Sequence, residues 1–154
     1  MNKKWDLRFL KLAILIADWS KDPSTQTGAV IVRPNRSICS VGFNGFAQKM
    51  SDNPDLYADR EIKYSRVIHS EVNAQLFARE PLEGYTLYTW PFASCDRCCV
   101  QMLQAGITKF VFPSPSQDAL SRWGGAFEKT KKYIMEASAE FLEIPVEEVT
   151  HGRN

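Results

Sequence analysis

Apolar residues recur along the chain with two different periods, and each period predicts a different kind of element. From Phe9 to Ile16 the spacing is helical, and Asp22-Pro23 ends this first predicted helix. The segment 28–33, apolar through Val32, predicts a buried strand, and a second strand is predicted over 37–43. Because residues 34–36 favour a turn, the two strands are expected to form a β-hairpin.

The next stretch, 44–63, is polar and has no clear periodicity, so it is predicted as a long loop. Loops of this length are uncommon in compact domains unless they carry a function or are disordered. A helix is then predicted over 67–79, with Val72, Leu76 and Phe77 on its inward face.

The second half of the chain alternates between strand and helix patterns. Residues 85–90 are rich in strand-forming types and predict a strand. Ser94 is the predicted N-cap of a helix that ends near Ala105, where Gly106 provides a stop. A short strand is predicted over 109–112.

A last helix and a last strand complete the pattern. After Gly124-Gly125, helical spacing is carried by Phe127, Thr130, Ile134 and Ala137. A strand over 140–144 and a polar tail follow. This order predicts an α/β fold, a three-layer α/β/α domain with a mixed central sheet of five strands. Since no repeat or linker interrupts it, we predict one domain over 1–154, with its core at about 7–145.

Composition narrows the class of protein without identifying a function. The chain has 154 residues, of which 44% are hydrophobic and 24% are charged, as expected for a globular domain with a core of its own. With 19 Lys and Arg against 18 Asp and Glu, the net charge is +1, and no basic run disturbs this balance. Binding of long nucleic acid is therefore disfavoured. No apolar run approaches the roughly 20 residues of a membrane span.

The four cysteines do not read as a disulfide framework, because Cys95, Cys98 and Cys99 are clustered. Residues 5–8 interrupt any signal-like apolar core, so we expect a cytoplasmic protein with reduced thiols. Cys39 in the second strand and Cys99 are predicted to pack as small core residues.

Two short motifs carry the chemistry of the chain. His69-Ser70-Glu71 opens one predicted helix, and Cys95-Asp96-Arg97-Cys98 opens another. One imidazole and two thiolates suit zinc with its fourth position left to water, and a nearby carboxylate supplies an acid/base group. Cys95 and Cys98 share a helix face, and the helix N-terminus favours their thiolate form.

Other interpretations explain only part of this pattern. A lone C-x-x-C is often a redox pair or half of a structural zinc site. A redox pair has no need of His69 and Glu71, and a closed zinc site needs a fourth Cys or His. Cys99 would point elsewhere on its helix, and His151 lies in the predicted tail. The combined pattern therefore favours a catalytic zinc site.

The H-x-E and C-x-x-C motifs resemble the signature of the zinc-dependent deaminases, with Ser94 where that signature has proline. Residues 22–30, 42–46 and 104–107 are similar to further segments of the cytidine and deoxycytidylate deaminases, above all of the deoxycytidylate deaminases. The resemblance covers about residues 7–112. Ala47 and Ala93-Ser94 depart from the family pattern without removing a ligand.

The resemblance implies deamination of dCMP to dUMP and ammonia. One zinc per chain would be held by His69, Cys95 and Cys98, and Glu71 would carry protons from water to the base and to the leaving amino group. The additional Cys and His residues of a second zinc site are absent from the sequence.

The resemblance also implies substrate-binding positions. Asn44 would hydrogen-bond the sugar, although Asn44-Gly45 also suits a simple tight turn. Thr27 and Ala29 would line the base pocket, and the backbone near Ser94 would orient the ring. Five cations flank the expected pocket as candidates for the phosphate, although each also reads as a solvated surface charge: Lys21, Lys49, Arg60, Lys63 and Arg66.

Regulation and assembly are expectations from the family alone. Its members commonly form hexamers activated by dCTP and inhibited by dTTP, with Mg²⁺, and the loop 44–63 is where such control would lie. Two other functions stay open: a deaminase for a free nucleoside, a base or transfer RNA, and a zinc-stabilised binding protein without catalysis. Near-neutral charge disfavours the transfer-RNA substrate, and Glu71 disfavours the non-catalytic function.

Overall fold

Strands and helices alternate through residues 3–152, the part of the chain that the computed structural model describes. The strands are β1 Gly28–Val32, β2 Ile38–Phe43, β3 Gly45–Phe46, β4 Val67–Ile68, β5 Thr86–Trp90, β6 Lys109–Pro113 and β7 Glu140–Ile144. The helices are α1 Lys3–Ala17, α2 Asp55–Ala58, α3 Arg60–Arg66, α4 Ser70–Ala78, α5 Asp96–Gln104, α6 Gln117–Glu136 and α7 Val146–His151.

Five of these strands form one mixed sheet in the order β2-β1-β5-β6-β7. The predicted hairpin is present, with β1 antiparallel to β2 and also to β5. Strands β5, β6 and β7 run parallel, as expected for strands joined through helices. The predicted five-stranded mixed sheet is therefore confirmed, while β3 and β4 pair separately.

The sheet buries both faces, because successive side chains of a strand point to opposite sides. Ile31 and Leu87 belong to a core cluster with residues of α4, α5 and α6. Val30 and Tyr88 belong to a second cluster with residues of α1 and α7. The predicted three-layer α/β/α arrangement is confirmed.

Gly42 allows α4 to lie directly on strand β2. A Cβ atom at this position would lie 2.4 Å from both the backbone N of Ala74 and the backbone O of Ser70. Such distances are shorter than van der Waals contact, so any side chain would push the helix away. The first turn of α4 is thereby held at a fixed height above the sheet.

Several predicted element boundaries are wrong. Residues 44–63 are not a plain loop, because they contain β3, α2 and the first half of α3. The helix predicted over 67–79 begins at Ser70, and its Leu76 and Phe77 are 59% and 48% exposed rather than inward. The buried residues of that helix are Ser70, Glu71 and Ala74.

The ends of the later helices also differ from prediction. Cys95, not Ser94, is the N-cap of α5, whereas the stop at Gly106 is confirmed by its positive φ of 102°. Helix α6 begins at Gln117 and runs through the glycine pair, with the Ser116 hydroxyl accepting the N–H of Ala119. The predicted polar tail contains α7, which buries Val149.

Within residues 3–152 no helix is both long and apolar enough to cross a membrane.

Candidate active site

Two helix N-termini meet at one end of the sheet. His69 is the N-cap of α4 but makes no side-chain capping bond, so its imidazole is available for other contacts. Cys95 is the N-cap of α5, and its sulfur accepts the backbone N–H of Cys98 at 3.4 Å. This cap fixes the Cys95 side chain at the start of the helix, where partial positive charge stabilises an anion.

The predicted metal ligands and Glu71 come together in this place. One ligand atom from each of His69, Glu71, Cys95 and Cys98 lies within 4.8 Å of the others. The Nδ1 atom of His69 is 3.6 Å from the Cys95 sulfur and 3.3 Å from the Cys98 sulfur. These four residues, named here the His-Glu-Cys-Cys cluster, are brought together as the sequence predicts.

The electrostatics of the cluster favour a bound cation. A hydrogen bond from the Cys98 thiol lowers the pKa of Cys95 against the effect of burial, and His69 contributes in the same direction. The pKa of Cys98 is raised by that bond and by burial, and the pKa of His69 is raised mainly by its bond to Cys95. The lowered pKa favours the thiolate form of Cys95 beside a second sulfur and an imidazole, and zinc binds sulfur and nitrogen donors of this kind.

Glu71 lies close to the ligand atoms and is buried. The hydroxyl of Ser70 donates a hydrogen bond to its Oε2 atom at 3.1 Å. A carboxylate has several acceptor positions, so this bond leaves others for a reacting group. This placement is the one that a proton carrier requires.

A cavity of about 570 Å³ opens over the cluster. His69, Glu71 and Cys95 line it, together with the predicted substrate-binding residues Thr27 and Asn44. Its volume is within the range of small-molecule sites.

The other two predicted substrate-binding residues are less accessible. Ser94 lines the cavity, but its buried hydroxyl has no hydrogen-bond partner within the described residues. Ala29 is fully buried in the core cluster and is absent from the cavity lining. Its position does not support the prediction that it contacts the base.

Asn44 holds the loop that forms one wall of the cavity. Its Oδ1 accepts the Thr27 N–H at 2.8 Å, and its Nδ2 donates to the Thr25 carbonyl at 2.9 Å and to Asp22 at 3.4 Å. Because both amide hydrogens are used, the side chain positions residues 22–27. This arrangement matches neither a free sugar-binding group nor a simple turn residue.

The five phosphate candidates divide into two groups. Arg60 and Lys63 line the cavity, whereas Lys21, Lys49 and Arg66 do not. Lys63 is only 13% exposed, and its Nζ atom lies 2.9 Å from Asp22 and 3.0 Å from the Ser24 hydroxyl. Its charge is therefore largely compensated within the protein.

Helix α6 supplies a wall that the sequence did not reveal. Arg122, Trp123 and Phe127 line the cavity beside Phe92, and Arg97 of α5 adds a further cation. The ring of Phe92 lies 5.2 Å from that of Trp123 and 5.3 Å from that of Phe127. The four-residue spacing of Trp123 and Phe127 was the available signal, but a helix predicted to begin after Gly124-Gly125 excluded Trp123.

The fold and the cluster together define a zinc-binding α/β enzyme domain. Residues 3–114 match the family model of the cytidine and deoxycytidylate deaminase zinc-binding region. The chain belongs to this family, as its sequence motifs predicted.

Relatives along most of the chain support this assignment. An uncharacterized deaminase from the luxG 3′ region of Aliivibrio fischeri is 43% identical over 147 residues, which are 96% of this chain and 98% of that protein. The deoxycytidylate deaminase of Mus musculus is 35% identical over 119 residues, 72% of this chain and 65% of the mouse protein.

A solved structure confirms the fold. The dCMP deaminase of cyanophage S-TIM5, in complex with dCMP and dUMP, matches 94% of this chain and 99% of its own with a TM-score of 0.72. The identity is 20%, so the likeness concerns the fold alone.

Proposed function

We propose that the protein deaminates dCMP by hydrolysis, giving dUMP and ammonia. The observation that carries this proposal is the His-Glu-Cys-Cys cluster, three of whose residues line a cavity of about 570 Å³. Deoxycytidylate deaminases recur among the similar proteins, which supports dCMP over other cytosine substrates.

His69, Cys95 and Cys98 would hold one zinc per chain. The His69 Nδ1 atom lies 3.3–3.6 Å from the two sulfur atoms, and the lowered pKa of Cys95 favours its thiolate form. A zinc ion bound there supplies a Lewis acid that makes water a nucleophile near neutral pH. Cys99 takes no part, because it is fully buried and its thiol contacts the carbonyl of Thr130.

Glu71 would move the protons of the reaction. Its carboxylate takes a proton from the attacking water and delivers it to N3 of the cytosine ring, which makes C4 electrophilic. The water oxygen, now deprotonated once, would bond to C4. Glu71 would then take the second proton from that oxygen and pass it to N4 as the C4–N4 bond breaks, which leaves the C4 carbonyl of dUMP and ammonia. Ser70 holds the carboxylate in place through its hydrogen bond.

The remaining walls would orient the substrate. Phe92 and Trp123 offer aromatic surface against which a pyrimidine can stack. Asn44 would act through the loop that contains Thr27, and the cationic rim would receive the phosphate. Because Ala29 is completely buried, it would lie behind the residues that contact the substrate.

Regulation, assembly and location stay predictions. A hexamer, control by dCTP and dTTP with Mg²⁺, and a cytoplasmic setting rest on the family resemblance and on composition. The non-catalytic alternative leaves the buried Glu71 carboxylate without a role.

Ammonia release from a panel of substrates tests the proposal directly. The zinc-loaded protein is assayed with dCMP, CMP, deoxycytidine, dCTP and a transfer-RNA anticodon stem, and kcat/KM is expected to be highest for dCMP. A preference for deoxycytidine or for the RNA stem would move the assignment to another deaminase. Absence of ammonia from every substrate would favour the binding protein.

A further inference from the structure

The four cations that line the cavity differ in what already holds them. Lys63 is paired with the buried carboxylate of Asp22. Arg60 and Arg97 are exposed, and in the described part of the chain no ion pair or ring contact fixes either guanidinium. Arg122 differs from all three, since its guanidinium is oriented but is not neutralised by a close carboxylate.

Two contacts orient Arg122. Its guanidinium carbon lies 4.1 Å from the ring centroid of Trp123, a cation–π contact. Its ion pair with Asp118 is long, at 3.7 Å, and the Asp118 side chain is 80% exposed, so this pair contributes little. The Arg122 side chain itself is 38% exposed, which leaves its donors open to a ligand.

Helix α6 holds this arginine at a fixed distance from the reactive end of the cavity. Phe127 and Ile134 anchor the helix in the core. The hydroxyl of Thr130 donates a hydrogen bond at 2.7 Å to the carbonyl of Ser94, the residue directly before Cys95. The helix that bears Arg122 is thus tied to the segment that bears a proposed zinc ligand.

Arg122 also lies outside the part of the chain that defines the family. The family model covers residues 3–114 and therefore contains the whole His-Glu-Cys-Cys cluster but none of α6. The residues proposed to carry out the reaction and the cavity residues of α6 therefore belong to different parts of the chain. A second cavity, of about 320 Å³, adjoins the first, and Arg122 lines both together with Ser24 and Thr25.

We infer that Arg122 binds the 5′-phosphate of the nucleotide, with Trp123 holding the guanidinium in position. This inference rests on the proposed function. A guanidinium can donate two parallel hydrogen bonds to a phosphate, and an oriented guanidinium loses less entropy on binding. Among the lining cations, it assigns the phosphate to α6 rather than to the predicted Arg60 or Lys63.

The test compares a nucleotide with its nucleoside. In Arg122→Met, kcat/KM for dCMP is expected to fall about 10- to 150-fold, the equivalent of about 1.5–3 kcal/mol for a hydrogen bond to a charged group. The value for deoxycytidine should stay within about twofold of wild type, and Arg122→Lys should keep part of the preference for dCMP. Affinity for dUMP, measured by calorimetry, should fall with the dCMP value, while affinity for deoxyuridine is unchanged.

Arg8→Met is the matched control. Arg8 also lies over a tryptophan, at 4.8 Å from the Trp5 ring, but it is outside the cavity lining. This variant should keep the wild-type ratio of dCMP to deoxycytidine activity.

The outcomes separate the two proposals. If wild type prefers dCMP and Arg122→Met keeps that preference, the assignment of Arg122 is wrong while the proposed function stands. An equal loss on both substrates would make Arg122 a structural residue and also overturn the assignment. If wild type shows no preference for dCMP over deoxycytidine, both proposals fall.

Discussion

Two groups of polar side chains lie on opposite faces of the sheet, and their hydrogen bonding differs. On the face covered by α1, the Tyr88 hydroxyl donates to Asp6 at 2.7 Å, and the Lys109 ammonium lies 3.3 Å from the same carboxylate. On the other face, the His-Glu-Cys-Cys cluster brings an imidazole and two sulfurs toward one point. In the first group the charged and polar atoms pair with one another, whereas the second group brings together atoms that suit a bound cation.

The pKa directions express the same contrast. Burial, followed by the bond to Asp6, raises the pKa of Tyr88, so this phenol stays protonated at all physiological pH values. The pKa of Cys95 is instead lowered, mainly by its hydrogen bond from Cys98, and this favours the thiolate form that binds metals. Polar residues therefore serve stability on one face and chemistry on the other.

The largest expected effect comes from removing a proposed ligand. Wild type should contain about one zinc per chain by elemental analysis, whereas Cys98→Ser should lose the metal and all measurable deaminase activity. Cys99→Ser, a change in the adjacent buried thiol, is the matched control and should retain zinc. Two zinc ions per wild-type chain would contradict the single site.

Glu71→Gln should remove catalysis and leave structure intact. A lost general acid/base group lowers kcat on the order of 10²- to 10⁴-fold, and Glu71 serves several transfers, so the upper end is expected. Zinc content and Tm should match wild type. If the variant keeps more than about a tenth of the wild-type kcat, Glu71 is not the proton carrier.

Asp6→Asn should reduce stability and leave catalysis intact, the reverse of Glu71→Gln. Loss of the charge shared by Tyr88 and Lys109 should reduce the free energy of unfolding by about 1.5–3 kcal/mol, measured by urea denaturation. Zinc content and kcat of the folded protein should not change. The exposed Glu128→Gln serves as control, with an expected change within about 0.5 kcal/mol. A loss of kcat in Asp6→Asn without a loss of stability would contradict the assignment of stability to one face of the sheet and catalysis to the other.

The smallest effect on stability is expected for the partly exposed carboxylate of Glu80. It accepts hydrogen bonds from Arg33 and Tyr85. These bonds, with that of Arg33 the largest, lower the pKa of Glu80 from 4.5 to about 2. A lowered carboxyl pKa stabilises the fold above the unfolded-state value, and this contribution fades as pH falls through the folded-state value. Glu80→Gln should therefore be slightly less stable than wild type at pH 7, and the difference should shrink between pH 4.5 and 2. A difference that is constant with pH would exclude the charge as its source.

The sequence predicts the sheet and the cluster because both depend on local signals. Uninterrupted apolar runs mark the buried strands, and the H-x-E and C-x-x-C motifs lie at helix starts that a strand or loop precedes. Residues 44–63 gave no comparable signal, since α2 and α3 are short and largely exposed. Their place over the cavity depends on distant contacts such as the stacking of Phe46 on Tyr57 at 4.2 Å.

Helix α6 shows where local signals mislead. Glycine pairs disfavour helices, by about 1 kcal/mol for each residue relative to alanine, and this preference displaced the predicted start of α6. The structure overrides it, because Ala119 and Phe127 are buried on the same helix and Ser116 caps it. The displaced start left Arg122 and Trp123 outside the predicted helix, and no local signal placed this helix at the cavity.

The hydrogen bond from Thr130 to the Ser94 carbonyl also bears on how such enzymes can be recombined. A crossover between two relatives at residue 114, where the family model ends, would take the donor from one parent and the acceptor from the other. A crossover placed after Thr130 would keep both in one parental block, together with Arg122. A block that keeps this bond and Arg122 together with the cluster therefore extends beyond the segment by which the family is defined, to Thr130 at least.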